Sequence, residues 1–431
     1  LSARAEGGFV DELRWRGLLH QSTSESIDEY LSTPGRAGYA GFDPTGDSLT
    51  IGNAVPMLIL ARWQHHGHRP IVLMGGGTGL IGDPSGKSAE RQLQSAEQVR
   101  HNVESQRRIF ERVIDFSGAA GAEIVDNAEW LSKLGFIEVL RDVGKHFSVN
   151  QMIARDSVAA RLNNREQGIS YTEFSYMILQ AYDFLHLCRT KGCRVQLGGS
   201  DQFGNIVSGI DLIRRCEGGE AYGITNPLVT AADGSKIGKT EKGAIWVTAD
   251  RTSPYRFHQY WMNTSDADAG RYLRWFTFLP REQIEALEAS CTARPEAREA
   301  QHALADEMTT LFHGEHETQR ARAAAAALFS GEVRSLDAAL VTEIASELPA
   351  SELPSNRLEG AGVPLVDLLP ETSLARSKRE AREFLAAGAI TVNGERATAD
   401  AVLRKADLLH GTIALLRRGK KQWHAVRAVD Q

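Results

Sequence analysis

The chain has 431 residues, 42% hydrophobic and 24% charged, a balance that supports a buried core and excludes a disordered or fibrous chain. Its length predicts two or three domains. The formal charge of −6 hides an asymmetry: residues 356–431 carry 13 Lys and Arg against 9 Asp and Glu, so a basic end follows an acidic body and predicts an anionic partner there.

Ser26-Ile-Asp-Glu29 has capping-box spacing, and Pro34-Gly35 stops what precedes a strand over 38–42. A helix over 52–64 follows, then a strand over 71–74 that runs into the glycines of 75–79. Helical pattern fills 88–115, and 123–126 reads as a strand. Helical stretches over 136–163 and 172–189 precede a strand over 194–197 and a helix over 203–215. This alternation predicts an α/β domain with a doubly wound parallel sheet. From 254 to 344 the pattern is purely helical. ASELPASELP at 345–354 repeats a five-residue unit and is expected to be an unpacked linker. Beyond Gly360, helical TSLARSKREAREFLAAG, a strand over 389–392, the turn Asn393-Gly394 and a hairpin around Arg418-Gly419-Lys420 predict a small α+β unit.

Cys188, Cys193, Cys216 and Cys291 form no CxxC pair, which predicts reduced thiols in the cytoplasm. The opening LSARAEGG lacks the apolar run of a signal peptide, and the sequence lacks a membrane-length apolar run.

Two segments carry the strongest chemical signal. GFDPTGDSLTIGN at 41–53 passes from a strand end into a helix, a junction suited to anions because the first helical amides lack partners. KIGKT at 236–240 sets two lysines about a glycine, a loop able to place cations on a phosphate chain. GGGTGLIGDPSGK at 75–87 leaves three readings open: a GxGxxG fingerprint through Gly77, Gly79 and Gly82 that Asp83-Pro84 interrupts, a P-loop one residue short, or a GDPSGKS ligand loop. In TEFSYMILQAYDF, 172–184, Tyr176, Gln180 and Asp183 share one helical face, and a carboxylate there needs a donor. QLGGSDQFGN at 196–205 follows a strand, where such sheets bind ligands, and Asp201 can accept both hydroxyls of a ribose. HHGH at 65–68 ends a helix beside a glycine, so its imidazoles are expected at the helix C-terminus rather than on a metal.

The first and second segments together resemble the two signature sequences of class I aminoacyl-tRNA synthetases. With GKHFSVNQM at 144–152 and the block at 127–130, the chain is similar to bacterial-type tyrosyl-tRNA synthetases over residues 10–428. The resemblance implies a Rossmann-like catalytic domain over 1–250 with a dimer-forming insertion, and an α-helical anticodon-region domain over 251–344. A linker over 345–360 and an S4-like RNA-binding domain over 361–431 complete the expected organisation. It implies a tyrosine–tRNA ligase, in which the carboxylate of L-tyrosine attacks the α-phosphate of ATP and the tyrosyl group then passes to the 3′-terminal adenosine of tRNA(Tyr). Phosphate-side catalytic donors would be Thr45, Thr50, Asn53, Lys87, Arg91, Lys236, Lys239 and Thr240, with Mg²⁺ arriving on ATP. Tyr39 and Asp183 would hold the substrate phenol, Asp83, Tyr176 and Gln180 its ammonium group, and Gln202 its carboxyl region, with Thr78 and Asn127 also in the tyrosine pocket. Gly41, Asp43, Asn53, Gly199, Asp201 and Lys239 would bind ATP. Ser377, Lys378, Arg379, Arg382, Arg417, Arg418 and Lys420 would meet RNA. A homodimer is implied as well. Two departures stand out: the family's signature histidines are Thr50 and Asn53 here, and Ala40 offers no side-chain hydrogen bond to the ribose. Thr50 motivates a rival reading, an RNA-binding relative with weakened or lost activation. A tryptophan-specific relative is disfavoured by Tyr39, Asp183 and the basic tail.

Overall fold

In the computed structural model, which describes residues 7–85, 93–163, 168–240 and 243–430, the chain divides into two units. One comprises Leu1–Arg251 and Thr264–Phe312, the other Thr252–Asn263 and His313–Gln431. The helical stretch expected as one domain over 251–344 is therefore shared between them.

The sheet of the first unit contains β1 (Gln21–Ser22), β2 (Ala37–Phe42), β3 (Arg69–Met74), β4 (Glu123–Asp126), β5 (Val195–Gly199) and β6 (Tyr222–Asn226), in the order β1-β6-β5-β2-β3-β4. β2 to β6 pair in parallel, and β1 adds an antiparallel edge. Five of the six residues of β2 and all five of β6 are buried, as expected for strands covered on both faces. The chain winds from β2 through β3 to β4, then returns to the other side of β2 as β5. Strand ends diverge at that reversal, so the carboxyl ends of β2 and β5 border a natural ligand crevice.

The helices flanking this crevice start and stop by local chemistry. Ile51–His65 is apolar around most of its circumference and buries ten residues. It packs so closely on β2 that a Cβ at Gly38 would lie 2.6 Å from the Trp63 ring. Ser95 caps Ala96–Val113 by accepting from the Gln98 amide, and Ser170 caps Tyr171–Lys191 by accepting from Glu173. Gly192, with φ of 64°, closes the latter helix. A two-stranded hairpin, β7 (Lys239–Thr240) with β8 (Gly243–Ala244), follows β6.

The second unit contains a five-stranded sheet in the order β12-β11-β14-β15-β9 and a separate β10–β13 pair. Its strands are β9 (Ala350–Pro354), β10 (Val363–Pro364), β11 (Ile390–Val392), β12 (Glu395–Arg396), β13 (Val402–Leu403), β14 (Ile413–Arg418) and β15 (Gln422–Val429). Asn393 and Gly394 both have positive φ, 48° and 89°, as the expected tight hairpin requires. The linker expectation for 345–360 is corrected. Residues 350–354 pair in parallel with 425–429, and Leu353 is buried in the core with Leu358 and Val426. The strand places Leu353 inward, and Pro354 is tolerated because β9 lies at the sheet edge. Val341, Ile344 and Ala345 of helix Ala338–Glu347 share a core with Leu415, Trp423 and Ala425 of β14 and β15.

Candidate active site

Tyr39 lies in the middle of β2, fully buried, and its hydroxyl has no hydrogen-bond partner among the described residues. Burial, reinforced by the nearby charge of Asp183, pushes its phenol well above its ordinary pKa. Asp183 projects from the Tyr171–Lys191 helix and is 1% exposed. One carboxylate oxygen accepts from Trp130 Nε1 at 2.7 Å, the other from Asn127 Nδ2 at 2.8 Å. Burial pushes Asp183 up to about 8, against the opposing pull of those two donors. The donor that the sequence demands for this carboxylate is thus supplied by the protein, and Trp130 is a site residue that spacing along the helix could not reveal.

Asn127 continues the network. Its Oδ1 accepts from the Gly77 amide at 2.7 Å, while its Nδ2 also donates to Thr78 Oγ1 at 3.0 Å. The Thr78 hydroxyl donates to Asp43 Oδ1 at 2.8 Å, and Tyr176 donates to Asp43 Oδ2 at 2.8 Å. Asp43 follows directly on β2, and a Cβ at Gly75 would fall 2.2 Å from its carboxylate, so only glycine fits there. Asp43, expected at the nucleotide, is thereby tied to two residues expected at the tyrosine. Beside them, Asp83 accepts from the Ser85 amide at 2.9 Å and from Gln202 Nε2 at 2.7 Å. Asn205 Nδ2 donates to Gln180 Oε1 at 2.9 Å, and Gln180 donates to Gln202 Oε1 at 3.2 Å. Burial, with the charges of Asp43 and Asp83 adding to it, raises Tyr176 well above its ordinary pKa. That concentration of negative charge suits a cationic amine. Asn205, inside the QLGGSDQFGN block but unassigned by the sequence, is 5% exposed and acts as a tie between the two glutamines.

Gly41, near the carboxyl end of β2, and Asp201, just past β5, are exposed, as are Thr45, Asn53, Lys236, Lys239 and Thr240, and a Cβ at Gly41 would meet open space. Gly199 is half-buried at the end of β5 beside Asp201. Backbone bonds fasten the KIGKT segment to the start of the Ile51–His65 helix. Val247 N donates to Leu49 O at 2.9 Å, Ile51 N to Ile245 O at 3.2 Å, and Ile245 N to Gly238 O at 2.7 Å. Thr50 occupies the N-cap position but makes no side-chain cap; its hydroxyl donates to Asn53 Oδ1 at 2.6 Å. Lys87 and Arg91 lie outside the described residues.

The histidines of 65–68 find partners other than helix carbonyls: His66 meets the Glu12 carboxylate at 2.7 Å, His65 packs on Phe278 and His68 on Trp63. Among the described residues no group of three or more His, Cys, Asp or Glu could hold a metal, and no helix is long and apolar enough to cross a membrane.

In the second unit, Ser377 caps helix Lys378–Ala386 by accepting from the Glu380 amide, and Lys378 pairs with Asp367 at 2.8 Å. Arg379 pairs with Glu383, and Arg382 and Lys420 are exposed. Arg417 lies over the Trp423 ring and points at the Phe329 carbonyl, while Arg418 lies over Phe384 and donates to Leu374 O at 2.6 Å. These two arginines therefore also hold the unit together.

The chain matches the family model for class I tRNA synthetases (W and Y) over residues 36–330. It matches the model for the tyrosine–tRNA ligase SYY-like C-terminal domain over 343–426. The tyrosine–tRNA ligase of Roseiflexus castenholzii is 50% identical over 423 residues, 98% of this chain and 99% of its own. That of Geobacillus kaustophilus is also 50% identical over 423 residues, covering 97% and 99%. A C-terminally truncated mitochondrial tyrosyl-tRNA synthetase of Aspergillus nidulans superposes with a TM-score of 0.67 at 29% identity, covering 75% of this chain and 95% of that one.

Proposed function

The chain belongs to the class I tyrosyl-tRNA synthetases, ATP-dependent tyrosine–tRNA ligases, and on that footing we propose how its residues divide the work. The observation that carries the assignment is the buried Tyr39 hydroxyl, unpartnered among the described residues and close to Asp183. A substrate phenol there accepts from Tyr39 and donates to Asp183, which retains acceptor capacity beyond the bonds from Trp130 and Asn127. The substrate ammonium belongs to Asp83, Tyr176 and Gln180. Because Tyr176 gives its proton to Asp43, its oxygen faces the amine as an acceptor. Asp43 and Thr78 support that site, and Gln202 steers the substrate carboxyl.

In activation the tyrosine carboxylate oxygen attacks the α-phosphorus as the bond to the β-phosphate oxygen breaks. Catalysis then consists of positioning and of cations aimed at the departing pyrophosphate. Thr45, Lys236, Lys239 and Thr240 supply that field, joined by Lys87 and Arg91, while Asn53, Gly41, Gly199 and Asp201 hold the nucleoside portion. Mg²⁺ would enter on the ATP phosphates as part of the substrate. In the second step a ribose hydroxyl of the terminal adenosine attacks the activated carbonyl and AMP leaves.

The full-length match does not favour the rival reading without activation. We further propose a homodimer in the cytoplasm, with Ser377, Lys378, Arg379, Arg382, Arg417, Arg418 and Lys420 meeting tRNA(Tyr). Exposed Phe136, Ile137, Leu140, Val149 and Ile153 support the dimer, since so many apolar side chains in one segment call for a covering surface. ATP–pyrophosphate exchange with tyrosine, phenylalanine and tryptophan tests the assignment: tyrosine alone supports rapid exchange, and equal rates with phenylalanine would overturn the phenol pocket.

A further inference from the structure

We propose that Thr50 is a positioning residue that acts on the nucleotide through Asn53, the two side chains working as one hydrogen-bonded unit. The inference rests on the reading of Asn53 as a nucleotide contact. Thr50 has the extended backbone of an N-cap, φ −82° and ψ 165°, yet its hydroxyl does not bind a helix amide as Ser95 and Ser170 do in their helices. The proton goes instead to Asn53 Oδ1, 2.6 Å away and one turn on. With Oδ1 engaged, the Asn53 carboxamide is fixed in one of its two orientations, its Nδ2 hydrogens presented at the exposed surface.

The backbone gives this pair a rigid base. Thr50 bridges Trp246, and the residues on either side of it bond to Val247 and Ile245. The Thr50 carbonyl also accepts from the Asn53 and Ala54 amides at 3.0 and 3.2 Å, so the segment that directs the hydroxyl and the turn that carries the carboxamide are locked together. The same ladder continues through Ile245 to Gly238, in the loop bearing Lys236 and Lys239. Asn53 thus keeps a set orientation relative to the cations of that loop. A short hydroxyl cannot reach as far as a longer donor, but it can orient one.

The test is a double-mutant cycle of Thr50→Val and Asn53→Ala in the full chain, with Thr50→Ser as the conservative variant. Single-turnover adenylate formation, ATP and tyrosine affinity and melting temperature are measured on each. Thr50→Val slows adenylate formation roughly three- to tenfold, the worth of one hydrogen bond, with tyrosine affinity unchanged. Thr50→Ser restores the rate, and in the Asn53→Ala background Thr50→Val has little further effect. An equal loss in both backgrounds overturns the proposal by showing that Thr50 acts independently of Asn53. A silent Thr50→Val with a damaging Asn53→Ala overturns it while leaving the nucleotide reading of Asn53 intact. A silent Asn53→Ala overturns that reading, and the proposal with it.

Discussion

The indole of Trp130 donates to the carboxylate of Asp183 across 2.7 Å, and one face of that indole is covered by His186, whose ring stacks on it at 4.3 Å and 15°. This bond orients the carboxylate that receives the substrate phenol. Trp130→Phe keeps the stack and removes the donor. Leaving this buried acceptor without its donor costs about 1–3 kcal/mol, so the tyrosine KM rises roughly five- to a hundredfold while phenylalanine use is little changed. Exchange kinetics with both amino acids measure the collapse in discrimination.

Tyr39→Phe separates binding from stability. The hydroxyl it removes is buried without a partner among the described residues, a condition that costs about 1–3 kcal/mol in the free enzyme. The variant should melt at the same temperature or higher, yet bind tyrosine more weakly. A large loss of melting temperature would mean that the hydroxyl has a structural partner.

Asp183 also sets a pH dependence. Burial raises its folded pKa to about 8, from the ordinary value of 3.8. The unfolded chain therefore releases this proton at lower pH than the folded one, and the stability contribution present below pH 4 declines as pH rises towards 8. Asp183→Asn abolishes that part of the slope. Denaturant unfolding of both proteins between pH 4 and 9 checks the difference; parallel curves would refute it.

Lys239 is exposed on β7. Lys239→Ala should slow adenylate formation about ten- to a hundredfold, the scale of a lost charge-assisted contact, with tyrosine affinity and melting temperature preserved. Equal losses of rate and tyrosine affinity would place the lysine's effect on the fold instead.

Truncation after residue 356 tests the second unit. The cut removes Leu415, Trp423 and Ala425, which cover Val341 and Ile344, and removes β15, to which β9 is paired. Tyrosine activation should persist, because the residues proposed for it lie in the first unit. Amides of helix Ala338–Glu347 should lose protection from hydrogen exchange. Full protection of that helix would show that it is stable without the sheet.

Local pattern made much of the crevice readable. The strand-to-helix passage at 41–53 and the shared face of Tyr176, Gln180 and Asp183 follow from spacing alone. The partners of those residues do not. Tyr176 meets Asp43 across 133 positions and Asp183 meets Trp130 across 53, contacts that exist only once the sheet has brought β2, β4 and the Tyr171–Lys191 helix together. The same limit hid β9. Its Glu-Leu-Pro unit, a copy of the one just before the strand, looks unpackable in isolation, because the strand is created by pairing with residues more than seventy positions away.

The polypeptide leaves the first unit at Thr252, re-enters it at Thr264 and leaves again at His313. Helix Pro254–Met262 belongs to the second unit, where Tyr255 shares a core with Ala321, Ala324 and Val341. No single scission can yield two self-contained fragments: a protease cutting near residue 313 would strand this helix on the wrong piece, its buried ring turned out to water. Gene shuffling meets the same obstacle, because exchanging the second unit between relatives requires three matched junctions instead of one. The interleaving makes the two units a joint inheritance, which recombination can pass on whole far more readily than in part.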